Sequence, residues 1–102
     1  MAAVGLGVAL AATLGGPPAT AAVTRVKIKD DLFRPKKVTV QKGDRVKWVN
    51  RGDDTHTTTS TQGLWDARLA PGETFKRKFR QKGTFRYMCT IHDGMKGRVV
   101  VV

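Results

Sequence analysis

From residue 23 onward, apolar and polar positions alternate in short runs with a period of two, and no long run has a period near 3.6. Val26 and Ile28 alternate with Arg25, Lys27 and Lys29, which gives one apolar and one basic face. Phe33, Val38 and Val40 follow, with Pro35 marking an edge or a bend. Lys42-Gly43-Asp44 is a turn, after which Val46 and Trp48 alternate with Arg45, Lys47 and Val49 up to Asn50. Residues 51–63 read as a polar, irregular segment. Pro71-Gly72-Glu73 is a second turn, and Thr74 to Arg80 is strand-like. Lys82-Gly83 then leads into Thr84-Phe85-Arg86-Tyr87-Met88-Cys89. The chain closes on Gly97-Arg98-Val99-Val100-Val101-Val102, which reads as a buried strand. Roughly six or seven short strands at even spacing predict a small all-β sandwich. One position resists the pattern. Arg77 falls between Phe75 and Phe79 on an inward face, which predicts an edge position where the guanidinium reaches water.

The first 22 residues carry no charged side chain. They pass through Gly15-Gly16-Pro17-Pro18 to the small-residue site Ala19-Thr20-Ala21. This reads as a secretory signal peptide over residues 1–21, leaving residues 22–102 as one exported domain, periplasmic or extracellular. Two prolines and several glycines make a poor spanning helix, so no stable membrane span is expected after cleavage. All the charge belongs to the domain: 19 Lys and Arg against 8 Asp and Glu, a net +11. Such a field attracts acidic partners and anionic surfaces. The spacing of the lysines shows no base-reading motif, so no specific nucleic acid is expected. A single Cys cannot form an internal disulfide, and a lone Cys in an exported chain is either a hazard or a ligand.

The ligand reading gains support from its neighbours. Phe85, Tyr87 and Cys89 share one strand face, so Cys89 ends its strand pointing into the core, while Met88 points away. The next residues supply His92 and Met95, with Gly94 allowing a tight turn. His56 must arrive from a distant loop. One thiolate, two imidazoles and one thioether make the ligand set of a blue copper site. Thiolate suits Cu(I), imidazole suits both oxidation states, and a weak axial thioether tunes the potential. Zinc favours a stronger fourth ligand than a thioether. Copper-trafficking sites use Met-rich or paired-Cys ligands, so a copper-handling role is the second choice behind electron transfer. An enzyme is not expected, because both histidines are already engaged and none is left for another copper centre.

These motifs resemble the cupredoxins, and within them the amicyanin and plastocyanin branch. Phe33-x-Pro35-x-x-Val38-x-Val40-x-x-Gly43-Asp44-x-Val46-x-Trp48-x-Asn50 is similar to the family's opening strands. Pro71-Gly72-Glu73-Thr74-Phe75 resembles its middle turn, and Gly83-Thr84-Phe85-x-Tyr87-x-Cys89-Thr90 its strand into the ligand loop. The two-residue gap between His92 and Met95 is the short, amicyanin-like form. The resemblance implies a cupredoxin-like Greek-key β-sandwich of about seven to eight strands. It implies one type 1 copper held by His56, Cys89, His92 and Met95. It also implies that Asn50 stitches the ligand loops together through the Thr90 region, and that His92 is the electron's exit. The expected state is a monomer that docks redox partners near His92, acidic ones given the net charge. Two departures stand at the exit. Ile91 occupies the place of a usual Pro, and Asp93 puts a carboxylate beside His92.

Overall fold

The computed structural model describes residues 21–102, so the leader reading falls outside the described residues except at residue 21. Nine strands are described: β1 (Val23–Lys29), β2 (Leu32–Arg34), β3 (Lys37–Val40), β4 (Arg45–Asn50), β5 (His56–Ser60), β6 (Asp66–Leu69), β7 (Thr74–Lys78), β8 (Gly83–Met88) and β9 (Lys96–Val101). They form two facing sheets, ordered β2-β1-β4-β7 and β3-β9-β8-β5-β6. Both are mixed, with β1 parallel to β4 and β3 parallel to β9. The all-β sandwich is thus as expected.

The strand count exceeds the expectation for identifiable reasons. The stretch from Phe33 to Val40 divides at Pro35, and its halves join different sheets. Proline removes a ladder donor, so the chain changes sheet there at no further loss of pairing. Residues 51–63, expected to be irregular, contain β5. Its threonines are β-branched and suit a pleated backbone, but they give no apolar alternation to read. Thr57, Thr58 and Ser60 are nevertheless buried. The final strand is not buried on both sides: Val99 and Val101 face inward, while Arg98 is exposed.

The core is aromatic. Trp48 lies between Trp65, Phe75 and Tyr87, with ring centroids 5.7, 5.8 and 5.3 Å away. Each such ring removes roughly 150–250 Å² from water, on the order of 4–6 kcal/mol of gross driving force. Arg77 does not simply reach for water. Its guanidinium lies 5.0 Å from the Trp65 ring and 4.8 Å from Phe79, and burial lowers its pKa. A flat, weakly hydrated cation tolerates an inward strand position by stacking on rings.

Candidate metal centre

The candidate ligands meet at the end of the sandwich where β1 and β4 finish. His56 opens β5 and is fully buried. Cys89 follows β8 directly, and its amide donates to the Met95 carbonyl at 2.9 Å, closing the loop ahead of β9. Gly94 takes a φ of 73° in that loop, which a side chain would resist. Cys89 Sγ lies 3.9 Å from His56 Nδ1 and 3.5 Å from His92 Nδ1. The donor atoms of His56, Cys89 and His92 all fall within 4.8 Å of one another. Met95 is buried in the adjoining core, while Met88 is exposed.

The electrostatics prepare the thiol for a metal. Burial pushes the Cys89 thiol up, but the Thr57 amide, His92, the Ile91 amide and His56 all bond to its sulfur and hold it at about 6. The Thr57 amide donates to Sγ at 3.3 Å. Metal ligation needs thiolate, and this environment supplies it near neutral pH.

Two residues carry structural work that the sequence reading did not assign to them. Asp30, in the turn after β1, places Oδ1 2.7 Å from His56 Nε2. Its carboxylate also accepts the amides of Asp53 and Asp54. With Nε2–H donating to Asp30, the Nδ1 lone pair of His56 is left facing Cys89. Burial disfavours the charged form of His56, but the bonds to Asp30 and Cys89 outweigh it and raise its pKa. The bond to His56, with the Asp53 amide, holds the Asp30 carboxyl at about 2. Thr57 is the other such residue. Its Oγ1 accepts the Thr90 amide at 2.9 Å and lies 3.3 Å from Thr90 Oγ1. The stitch expected of Asn50 is therefore made by Thr57. Asn50 Nδ2 instead donates to the carbonyls of Asp54 and Leu69, and its Oδ1 accepts the Gly52 amide, so it braces the loop that delivers His56. Adjacency to the histidine was the one signal for Thr57. Nothing in the sequence connected Asp30 to a residue 26 positions later.

The surroundings of His92 differ from expectation too. His92 keeps about a quarter of its side-chain surface exposed, with Nε2 3.5 Å from Asp31 Oδ1 and 3.9 Å from Asp54 Oδ2. The carboxylates facing it are these two, rather than its neighbour Asp93.

The cupredoxin-like domain family model matches residues 2–101. This chain belongs to that family. It is 34% identical over 89 residues to amicyanin-alpha of Methylorubrum extorquens, covering 81% of this chain and 75% of that protein. It is 33% identical over 84 residues to plastocyanin of Scenedesmus fuscus, covering 69% of this chain and 86% of that one. Among solved structures, a purple cupredoxin from Nitrosopumilus maritimus superposes with a TM-score of 0.71 at 22% identity, covering 78% of this chain and 99% of that one, a likeness of fold. The cupredoxin's cofactor is copper, and the residues fit it. One soft sulfur donor and two imidazole nitrogens converge within 4.8 Å. Met95 lies buried beside them. Such a set suits a single type 1 ion.

Proposed function

We propose that this chain is an exported carrier of single electrons, with His56, Cys89, His92 and Met95 holding one copper ion. The observation that carries the reading is the convergence of Cys89 Sγ with both histidine Nδ1 atoms while both Nε2 atoms turn toward carboxylates. Copper in such a site supplies reversible one-electron chemistry. The protein's part is rigidity. His56 and Cys89 lie 33 residues apart, in segments joined through Thr57 and Thr90. The donors are thus fixed by the sandwich, and little rearrangement is needed when the charge changes. His92, the partly exposed ligand, is the contact point for a partner. The uncharged leader supports export.

The partner expectation is revised by local charge. Five of the chain's eight carboxylates belong to the loops at this end: Asp30, Asp31, Asp53, Asp54 and Asp93. Asp31 and Asp54 face His92 itself. A partner with a cationic rim fits this end better than the acidic one that net charge suggests.

The visible spectrum of the copper-loaded protein tests the reading. An intense thiolate-to-copper charge-transfer band, abolished in Cys89→Ser, is expected. A colourless protein that retains zinc in preference to copper would overturn it.

A further inference from the structure

We propose that the outer face of the β2-β1-β4-β7 sheet is a docking surface for an anionic phospholipid bilayer, independent of the metal. Val26, Ile28, Phe33, Val46 and Trp48 point inward, so their strand neighbours point out. The outward set includes Arg25, Lys27 and Lys29 on β1, Arg34 on β2, Arg45 and Lys47 on β4, and Lys76 and Lys78 on β7. None of these four strands contains an Asp or Glu.

The register sets like charges directly opposite one another. Lys27 faces Arg34, Arg25 faces Lys47, Lys47 faces Lys76, and Arg45 faces Lys78. Such pairs work against folding. Among the described residues, the ion pairs present join histidines to aspartates, and no Lys or Arg lies within 4.0 Å of a carboxylate. The face therefore holds an uncompensated field at a cost to the fold, which an external polyanion relieves. The other sheet is a poorer candidate. Lys37, Arg98 and Arg86 stand opposite one another there too, but Thr39, Thr84, Met88 and Val100 share that outward side, and Asp66 adds a carboxylate to it.

Shape and chemistry select the occupant. Four strands at about 4.8 Å make a platform on the order of 15 Å across, which suits a planar array of phosphates. The aromatic side chains of these strands, Phe33, Trp48 and Phe75, all point inward. The face thus offers neither stacking platforms for bases nor an aromatic anchor for a protein partner. Its exposed apolar residues, Val23 and Leu32, are aliphatic and lie at opposite ends, where they can settle among headgroups. β1 and β4 both run toward the metal end. A protein lying on this face presents His92 along the membrane plane, with the carboxylates of the β1–β2 and β4–β5 loops gathered at that one end of the sheet.

Co-sedimentation of the full chain with vesicles tests this. Partitioning onto phosphatidylcholine containing roughly one-third phosphatidylglycerol should exceed that onto phosphatidylcholine alone by at least about tenfold, and should collapse at ~0.5 M salt. Lys27→Glu with Lys47→Glu turns three like-charged pairs into opposite ones, so this variant should melt no lower than wild type while losing about tenfold in partitioning. Lys37→Glu with Lys82→Glu, an equal charge change elsewhere, should keep binding within about twofold. Equal binding to both vesicle types, as an inserting apolar leader alone would give, overturns the proposal. So does equal loss in the two variants, or duplex DNA that outcompetes vesicles at equal phosphate concentration.

Discussion

Asp30 shows how a side chain outside the ligand set acts on the site. It holds His56 through Nε2 and caps the amides of Asp53 and Asp54, so it orients the ligand and shapes the loop that carries it. Its carboxyl, held at about 2 by the His56 bond, stays ionised through the working pH range. The stability linked to this depressed pKa is present above the ordinary carboxylate value of 3.8 and is lost only as pH falls through about 2. Asp30→Asn keeps an oxygen acceptor and removes the charge. An added electron is then less opposed, so the reduction potential should rise by roughly tens of millivolts, as for a partly exposed charge in a medium of high effective dielectric. The rise should be equal at pH 5 and pH 8, because Asp30 is charged at both. Voltammetry showing a fall, or a rise at one pH alone, would refute this account.

At the scale of strands, the apolar alternation of β1, β4 and β8 was readable because burial there is done by apolar side chains. The same holds for the ligand strand: Tyr87 inward, Cys89 inward after it, Met88 outward. β5 was not readable, because Thr57, Thr58 and Ser60 are buried through hydrogen bonds instead. Trp65 Nε1 donates to Thr58 Oγ1 at 3.0 Å, and Thr57 binds Thr90. Such partners lie in other elements, and no local periodicity reports them. Asp30 was hidden for the same reason, while the convergence of His92 with Cys89 was legible from short spacing, and that of the distant His56 from its chemistry alone. The β8–β9 pairing makes a further prediction. Gly97 sits opposite Tyr87, and a Cβ there would come 2.5 Å from the phenol oxygen and from Cζ. Gly97→Ala should therefore destabilise by about 1–3 kcal/mol, as overpacking does. Tyr87 Oη is buried without a partner, so Tyr87→Phe alone should cost little and should recover part of the Gly97→Ala loss. Denaturant midpoints of the two single variants and the double variant measure this. Strict additivity would sink it.

The whole molecule is electrically divided, with a net +11 on the chain and a carboxylate-rich end around His92. Which part a redox reagent senses depends on how far the field reaches. At ~0.01 M salt the screening length is about 30 Å, so a reagent approaching His92 feels the entire cationic body. At ~0.1 M it is about 10 Å, and the local carboxylates weigh more. An anionic oxidant such as ferricyanide should therefore lead at low salt, and a cationic cobalt(III) chelate should gain on it as salt rises. Neutralising Asp31→Asn with Asp54→Asn removes the two carboxylates nearest His92 Nε2. At ~0.1 M it should shift the ratio back toward the anionic reagent, while changing the low-salt ratio far less, because two charges are a small part of the total field. Stopped-flow oxidation of the Cu(I) protein by the two reagents gives the ratio directly. If the ratio responds to salt equally in wild type and variant, electrons leave by a route distant from His92. The acidic rim would then have no part in choosing a partner.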